Sequence, residues 1–104
     1  MELDGPGRIV LNKSLPQSLE AYIQYLTIEK GLARNSVSSY RRDLVKWAAL
    51  LKERGLEPEA ARKEHIRGFL ERLYSHGLEA NSRARHLVSL RNFYRFLLSE
   101  GRIE

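Results

Sequence analysis

Tyr40, Arg41 and Arg42 follow one another in the stretch NSVSSYRRDLVKW, residues 35–47. A phenol beside two guanidinium groups could do covalent chemistry on a phosphodiester, the phenol oxygen attacking phosphorus while the guanidinium groups neutralise the oxyanions. The neighbours argue against it. Val37, Tyr40, Leu44, Trp47, Ala48 and Leu51 recur at three- and four-residue steps, which places Tyr40 on the apolar stripe of an amphipathic helix. A phenol packed into a core cannot reach a scissile phosphate, so Tyr40 is read as a packing residue, with Tyr22 and Tyr94 in similar stripe positions.

No other catalytic constellation is present. The sequence has neither a Gly-rich phosphate loop nor a nucleophile elbow. His65, His76 and His86 fall on separate segments, without i,i+4 pairing or acidic neighbours at ligand spacing, and read as solvated or boundary histidines. The absence of cysteine excludes disulfides, thiolate zinc sites and a cysteine nucleophile together. No catalytic residue, metal or cofactor is expected.

The elements that carry these residues follow from length and periodicity. A chain of 104 residues allows one domain with one core, too small for a two-domain enzyme with a cleft between its halves. No apolar run reaches membrane-spanning length and no signal peptide opens the chain, so a soluble, cytoplasmic protein without membrane contact is expected. Residues 1–13 carry two glycines and no helical period, and read as a flexible tail. Residues 14–104 read as a helical domain. Ser14 and Gln17 have capping-box spacing, and Leu15, Leu19, Tyr22 and Leu26 share a face up to Lys30-Gly31. The second helix is expected from an N-cap at Asn35 to about Arg54, closed by Gly55. A third carries Ile66, Phe69, Leu70 and Leu73 before His76-Gly77, although Arg62 and Lys63 stand where a helix start prefers acids. The fourth runs from about Ala80 to Glu100, with Leu87, Leu90, Tyr94, Leu97 and Leu98 as its buried set. No segment alternates with period two, so the expected fold is all-α, a single four-helix bundle.

The basic charge is localised. Residues 34–54 hold six bases against Asp43 and Glu53, and residues 80–102 hold five against Glu100, while the rest of the chain is net acidic. At about 100° per residue, Asn35, Ser38, Ser39, Arg42 and Lys46 face away from the stripe of the second helix, with Arg41 nearer the core edge. Counted from Leu87, the outward face of the fourth helix carries Asn81, Ser82, Arg85, Ser89 and Asn92. Ordinary solvated faces alternate acids and bases at i,i+4, whereas these mix bases with small hydroxyl and amide groups. That mixture suits double-stranded DNA: cations neutralise phosphates, Ser and Asn donate to phosphate oxygens, and Arg or Asn can read base edges. Arg34, Arg41 and Arg83 are additional candidates.

SLEAYIQYLTIEKGLARNSVSSYRRDLVKWAALL, residues 18–51, resembles the amino-terminal segment of Xer-type tyrosine recombinases and phage integrases: a YL…E+GL helix end, an Asn-Ser cap, then Tyr, Arg and Asp-Leu. ARHLVSLRNFYRFLLSEG, residues 84–101, is similar to the family's second signature near the end of the same domain. The resemblance implies a SAM-like core-binding domain of four helices that packs on one face of the recombination half-site, its second and fourth helices toward DNA. It further implies that the catalytic arginines, lysine, histidines and tyrosine nucleophile belong to a separate carboxy-terminal domain absent from this chain. The chain is therefore not expected to cut DNA alone. Implied partners are duplex DNA, the missing catalytic domain and other recombinase protomers in a synaptic tetramer, with nucleoid association when DNA is bound. Two departures from the family are Glu79-Ala80, where Ser-Pro is common, and Arg83 at a usually apolar position.

The competing reading is a helical protein-interaction module without direct DNA contact. Phe96, projected opposite the stripe of the fourth helix, would mark its docking spot.

Overall fold

Where a glycine follows the last apolar residue of a helical stripe, the chain turns. In the computed structural model, which describes residues 15–104, this divides the chain into four helices: α1 (Gln17–Gln24), α2 (Arg34–Glu53), α3 (Lys63–Ser75) and α4 (Ala80–Ser99). A π-helical turn, Tyr25–Glu29, prolongs α1, and a 3-10 turn, Pro58–Ala60, precedes α3. Within the π turn the Thr27 hydroxyl donates to the Ile23 carbonyl at 2.9 Å. The expected tail over residues 1–13 and the Ser14 cap lie outside the described residues. Among those residues there is no strand, and no helix is long and apolar enough to cross a membrane. The all-α four-helix expectation holds.

Helices α2 and α3 end alike. Gly55 and Gly77 take φ of 68° and 87°, and the following N–H groups reach back, Leu56 to the Leu51 carbonyl at 3.0 Å and Leu78 to the Leu73 carbonyl at 3.1 Å. This is the Schellman closure, and it folds Leu56 and Leu78 onto the core. The helix starts differ from the sequence reading. Asn35 lies inside the first turn of α2, because Ala33 is the extended residue whose carbonyl accepts the Val37 N–H at 3.0 Å. Helix α3 solves the problem of its basic start with a histidine: the Arg62 N–H donates to His65 Nδ1 at 2.9 Å, a role Glu or Gln usually fills.

The core is aromatic at its centre. Trp47 meets Phe69 edge-on at 5.3 Å between ring centroids, and its indole N–H donates to the Tyr94 hydroxyl at 3.2 Å. That hydroxyl donates in turn to the Pro58 carbonyl at 2.7 Å, so the α2–α3 connection is tied to α4. Burial pushes the Tyr94 phenol up to about 12, which keeps it a neutral donor. Tyr40 is half-buried against the core, as a packing residue would be. On the outside, Arg72 of α3 clasps Glu53 of α2 through two bonds of 3.0 Å.

Helix α4 is rotated relative to the sequence reading. Its buried face is His86, Ser89, Leu90, Phe93, Phe96 and Leu97, whereas Leu87 is half-buried and Leu98 is 55% exposed. Phe96 is therefore no docking mark: it packs on Tyr22 and Tyr25 with ring centroids 5.2 and 4.9 Å away. Leu87 and Leu98 carry apolar character past the buried side of α4, while its exposed side holds Asn81, Arg91 and Arg95.

A Cβ added at Gly55 would meet no atom within 4 Å, so only the left-handed backbone opposes Gly55→Ala. That substitution is expected to cost about 1–2 kcal/mol. Thermal unfolding followed by circular dichroism should show Tm lower by roughly 4–8 °C per kcal/mol, the scale for a domain of this size.

Candidate functional site

Asp43, whose neighbour Leu44 lies in the core, is carried inward on α2 until only 2% of its surface is exposed, facing α4. A buried carboxylate must be met by donors, and α4 supplies them from adjacent turns. Arg85 binds it at two points, Nε to Oδ2 at 3.1 Å and Nη2 to Oδ1 at 2.9 Å. The Ser89 hydroxyl donates to Oδ2 at 2.9 Å, and His86 Nε2 lies 3.3 Å from Oδ1. Burial by itself would push the carboxyl up, but the hydrogen bonds from Arg85 and Ser89 and the charges of His86 and Arg85 outweigh it. The net effect holds Asp43 below its ordinary value of 3.8.

His86, 1% exposed, is the second buried polar residue of the cluster. Its Nδ1 lies 2.7 Å from the Ser82 carbonyl oxygen, which can only accept, so Nδ1 carries a proton. The other nitrogen faces Asp43 and, at 3.4 Å, the Lys46 ammonium. With the ring neutral, Nε2 accepts from Lys46; with the ring protonated, it donates to Asp43. The reading of His86 as a solvated or boundary histidine is corrected: the demand of Asp43 for partners draws it inside.

The candidate residues divide accordingly. Asn35, Arg42, Lys46, Asn81 and Arg85 are exposed, and Ser38, Ser39, Ser82 and Asn92 are half-buried. Ser89 is buried, so its place on the outward face is corrected: its hydroxyl serves Asp43. Arg42 reaches the Ser39 hydroxyl at 3.2 Å. Among the additional candidates, Arg34 is exposed at the start of α2, and Arg41 lies 3.9 Å from Glu20 of α1. Arg83 donates to the Leu78 carbonyl at 2.6 Å and lies 4.9 Å over the Tyr74 ring, which binds it to the α3–α4 connection. Lys46 and Arg85, from different helices, converge on the same buried pair.

Sequence reasoning missed Asp43 and His86 as organisers. One signal was available: an acid directly before a core leucine in an otherwise basic segment, with Arg85, His86 and Ser89 clustered on adjacent turns of another helix. Among the described residues no group of three or more His, Asp or Glu could hold a metal ion.

Residues 19–101 match the family model described as phage integrase, N-terminal SAM-like domain. The chain belongs to this family. Among curated relatives, a tyrosine recombinase XerD of Chlorobaculum tepidum is 42% identical over 81% of the chain and 28% of its own length. The XerD of Rhizobium meliloti is 39% identical over 80% of the chain and 27% of its own length. That of Mycobacterium tuberculosis is 40% identical over 88% of the chain and 32% of its own length. The SAM-like domain thus spans about a quarter to a third of these relatives. No solved structure matches the chain.

Because the folded-state value of Asp43 is depressed, its stabilisation of the SAM-like domain is present above the ordinary value of 3.8 and is lost as pH falls through the folded value. Asp43→Asn removes that titration while leaving Glu53 unchanged. Urea unfolding should find the variant less stable than wild type at neutral pH, with the gap closing below about pH 4; a constant gap would contradict the assignment. Nitrogen NMR of His86 is expected to show a protonated Nδ1.

Proposed function

We propose that this SAM-like domain is the DNA-clamping amino-terminal part of a site-specific tyrosine recombinase, binding duplex DNA at a half-site through the exposed sides of α2 and α4. The observation that carries this reading is the convergence of Lys46 of α2 and Arg85 of α4 on the Asp43–His86 pair, beside Arg42. Two helices thereby offer bases to one region, and although Asp43 offsets the charge of Arg85, the guanidinium stays largely exposed beside Lys46. Cations so placed neutralise phosphates, while Asn35, Asn81 and the half-buried serines add neutral donors near the backbone. The relatives are named tyrosine recombinases, which supports the same role.

In this proposal strand cleavage and rejoining belong to a separate catalytic domain of the recombinase. The SAM-like domain positions a protomer on DNA and supports assembly with neighbouring protomers. The interaction-module alternative has lost Phe96 to the core, and its remaining support is Ile28, 75% exposed on the π turn. That side chain fits a protomer or domain contact and does not compete with the basic surface.

Binding of the 104-residue chain to a labelled duplex, followed by fluorescence anisotropy, should weaken steeply with salt. Replacing Arg42 and Lys46 together by alanine should lower the slope of log K against log salt by about two, near one per lost phosphate contact. Arg85 is left out because Asp43 already answers its charge. Affinity that stays level from low to high salt would sink the proposal.

A further inference from the structure

We propose that Asp43 is a positioning residue for DNA recognition: without touching DNA, it orients the Arg85 guanidinium so that the remaining donors of that fork are presented to the duplex in a fixed direction. This rests on the duplex-binding reading above.

The argument begins from a mismatch between charge and burial. On charge alone, a carboxylate 2.9 Å from a phosphate-binding arginine weakens it, since the pair is nearly neutral at a distance. Asp43 also bears the desolvation of a 2%-exposed site. The arrangement has a directional benefit instead. A guanidinium carries five N–H donors in a plane, and Asp43 takes one from Nε and one from Nη2, leaving three. The Arg85 side chain is 58% exposed, so those three are open to a ligand while the plane and tilt of the group are already set. An unpaired arginine would lose several rotors on meeting a phosphate, whereas a fork held at two points has lost them beforehand.

The carboxylate is itself held. Ser89 binds Oδ2, His86 faces Oδ1, and His86 is oriented by the Ser82 carbonyl behind it. The Phe69 ring of α3 lies edge-on to His86 at 6.2 Å between centroids, an apolar neighbour for the imidazole. Orientation is thus passed from the α4 backbone through His86 and Asp43 back to Arg85. The preset donors suit a phosphate oxygen pair, which accepts two parallel N–H bonds.

The test turns on a difference of sign. Asp43→Asn keeps the shape and removes a negative charge near the proposed DNA surface, so a purely electrostatic role predicts tighter binding. Positioning predicts binding to a labelled duplex of mixed sequence weakened roughly three- to tenfold at fixed salt. Arg85→Lys, which keeps the charge and loses the fork, is expected to lose a similar factor, and the double variant no more than either single one. In wild type the Arg85 Nε–H resonance should be ordered, and in Asp43→Asn it should lose that order. Helix content from circular dichroism reports whether each variant is folded; if Asp43→Asn is not, the exposed Arg85→Lys decides, its full wild-type affinity overturning the inference. A folded Asp43→Asn that binds as tightly as wild type or tighter, or losses that simply multiply in the double variant, would also overturn it. Failure of the wild-type chain to bind duplex would instead remove the duplex-binding reading on which this one stands.

Discussion

A carboxylate taken out of water between two helices sets the terms for everything around it. Asp43 cannot be left unpaired at such burial, and its four contacts to Arg85, His86 and Ser89 fix both the rotation of α4 and its position along α2. Apolar packing tolerates sliding and rotation by fractions of a residue; a carboxylate met by a guanidinium fork, a hydroxyl and an imidazole does not. The polar cluster therefore supplies register, while the aromatic centre around Trp47 and Phe69 supplies the bulk of the burial.

The same interaction explains why basic side chains gather near the α2–α4 seam. Arg85 is there because the carboxylate needs a donor that can remain partly in water, and Lys46 because the second nitrogen of His86 needs a partner. The neutrality of the tyrosines follows from a related constraint, since burial pushes both Tyr22 and Tyr94 to about 12 and neither ionises near neutral pH.

The elements that were legible in the sequence are those with one dominant face. Helix α2 was readable because Leu44, Trp47 and Leu51 stand against polar neighbours, and the helix ends were readable because glycine follows each stripe. Helix α4 was not, because Leu87, Val88 and Leu98 extend apolar character beyond its buried side and blur the phase that Arg91 and Arg95 mark on the exposed one. Taking Leu87 as the anchor turned the helix by nearly one residue step, roughly 100°, and this one error put Ser89 and Phe96 outside and Leu98 inside. The deciding information lay in residues 42 to 46 positions away, in the need of Asp43 for Ser89 and His86, which periodicity within one segment cannot register. On helix α2, Asn35, Ser38, Ser39, Arg42 and Lys46 stay exposed or half-buried because that stripe was anchored on residues in the core.

Trp47 has a further consequence. It is the single tryptophan, fully buried, with its indole N–H on Tyr94 of α4 and its ring against Phe69 of α3. Its ultraviolet emission is consequently a built-in optical gauge of whether three helices are joined. The chromophore lies in the aromatic centre rather than among the exposed bases, so light from one indole can follow the integrity of the scaffold separately from whatever occupies the basic surface.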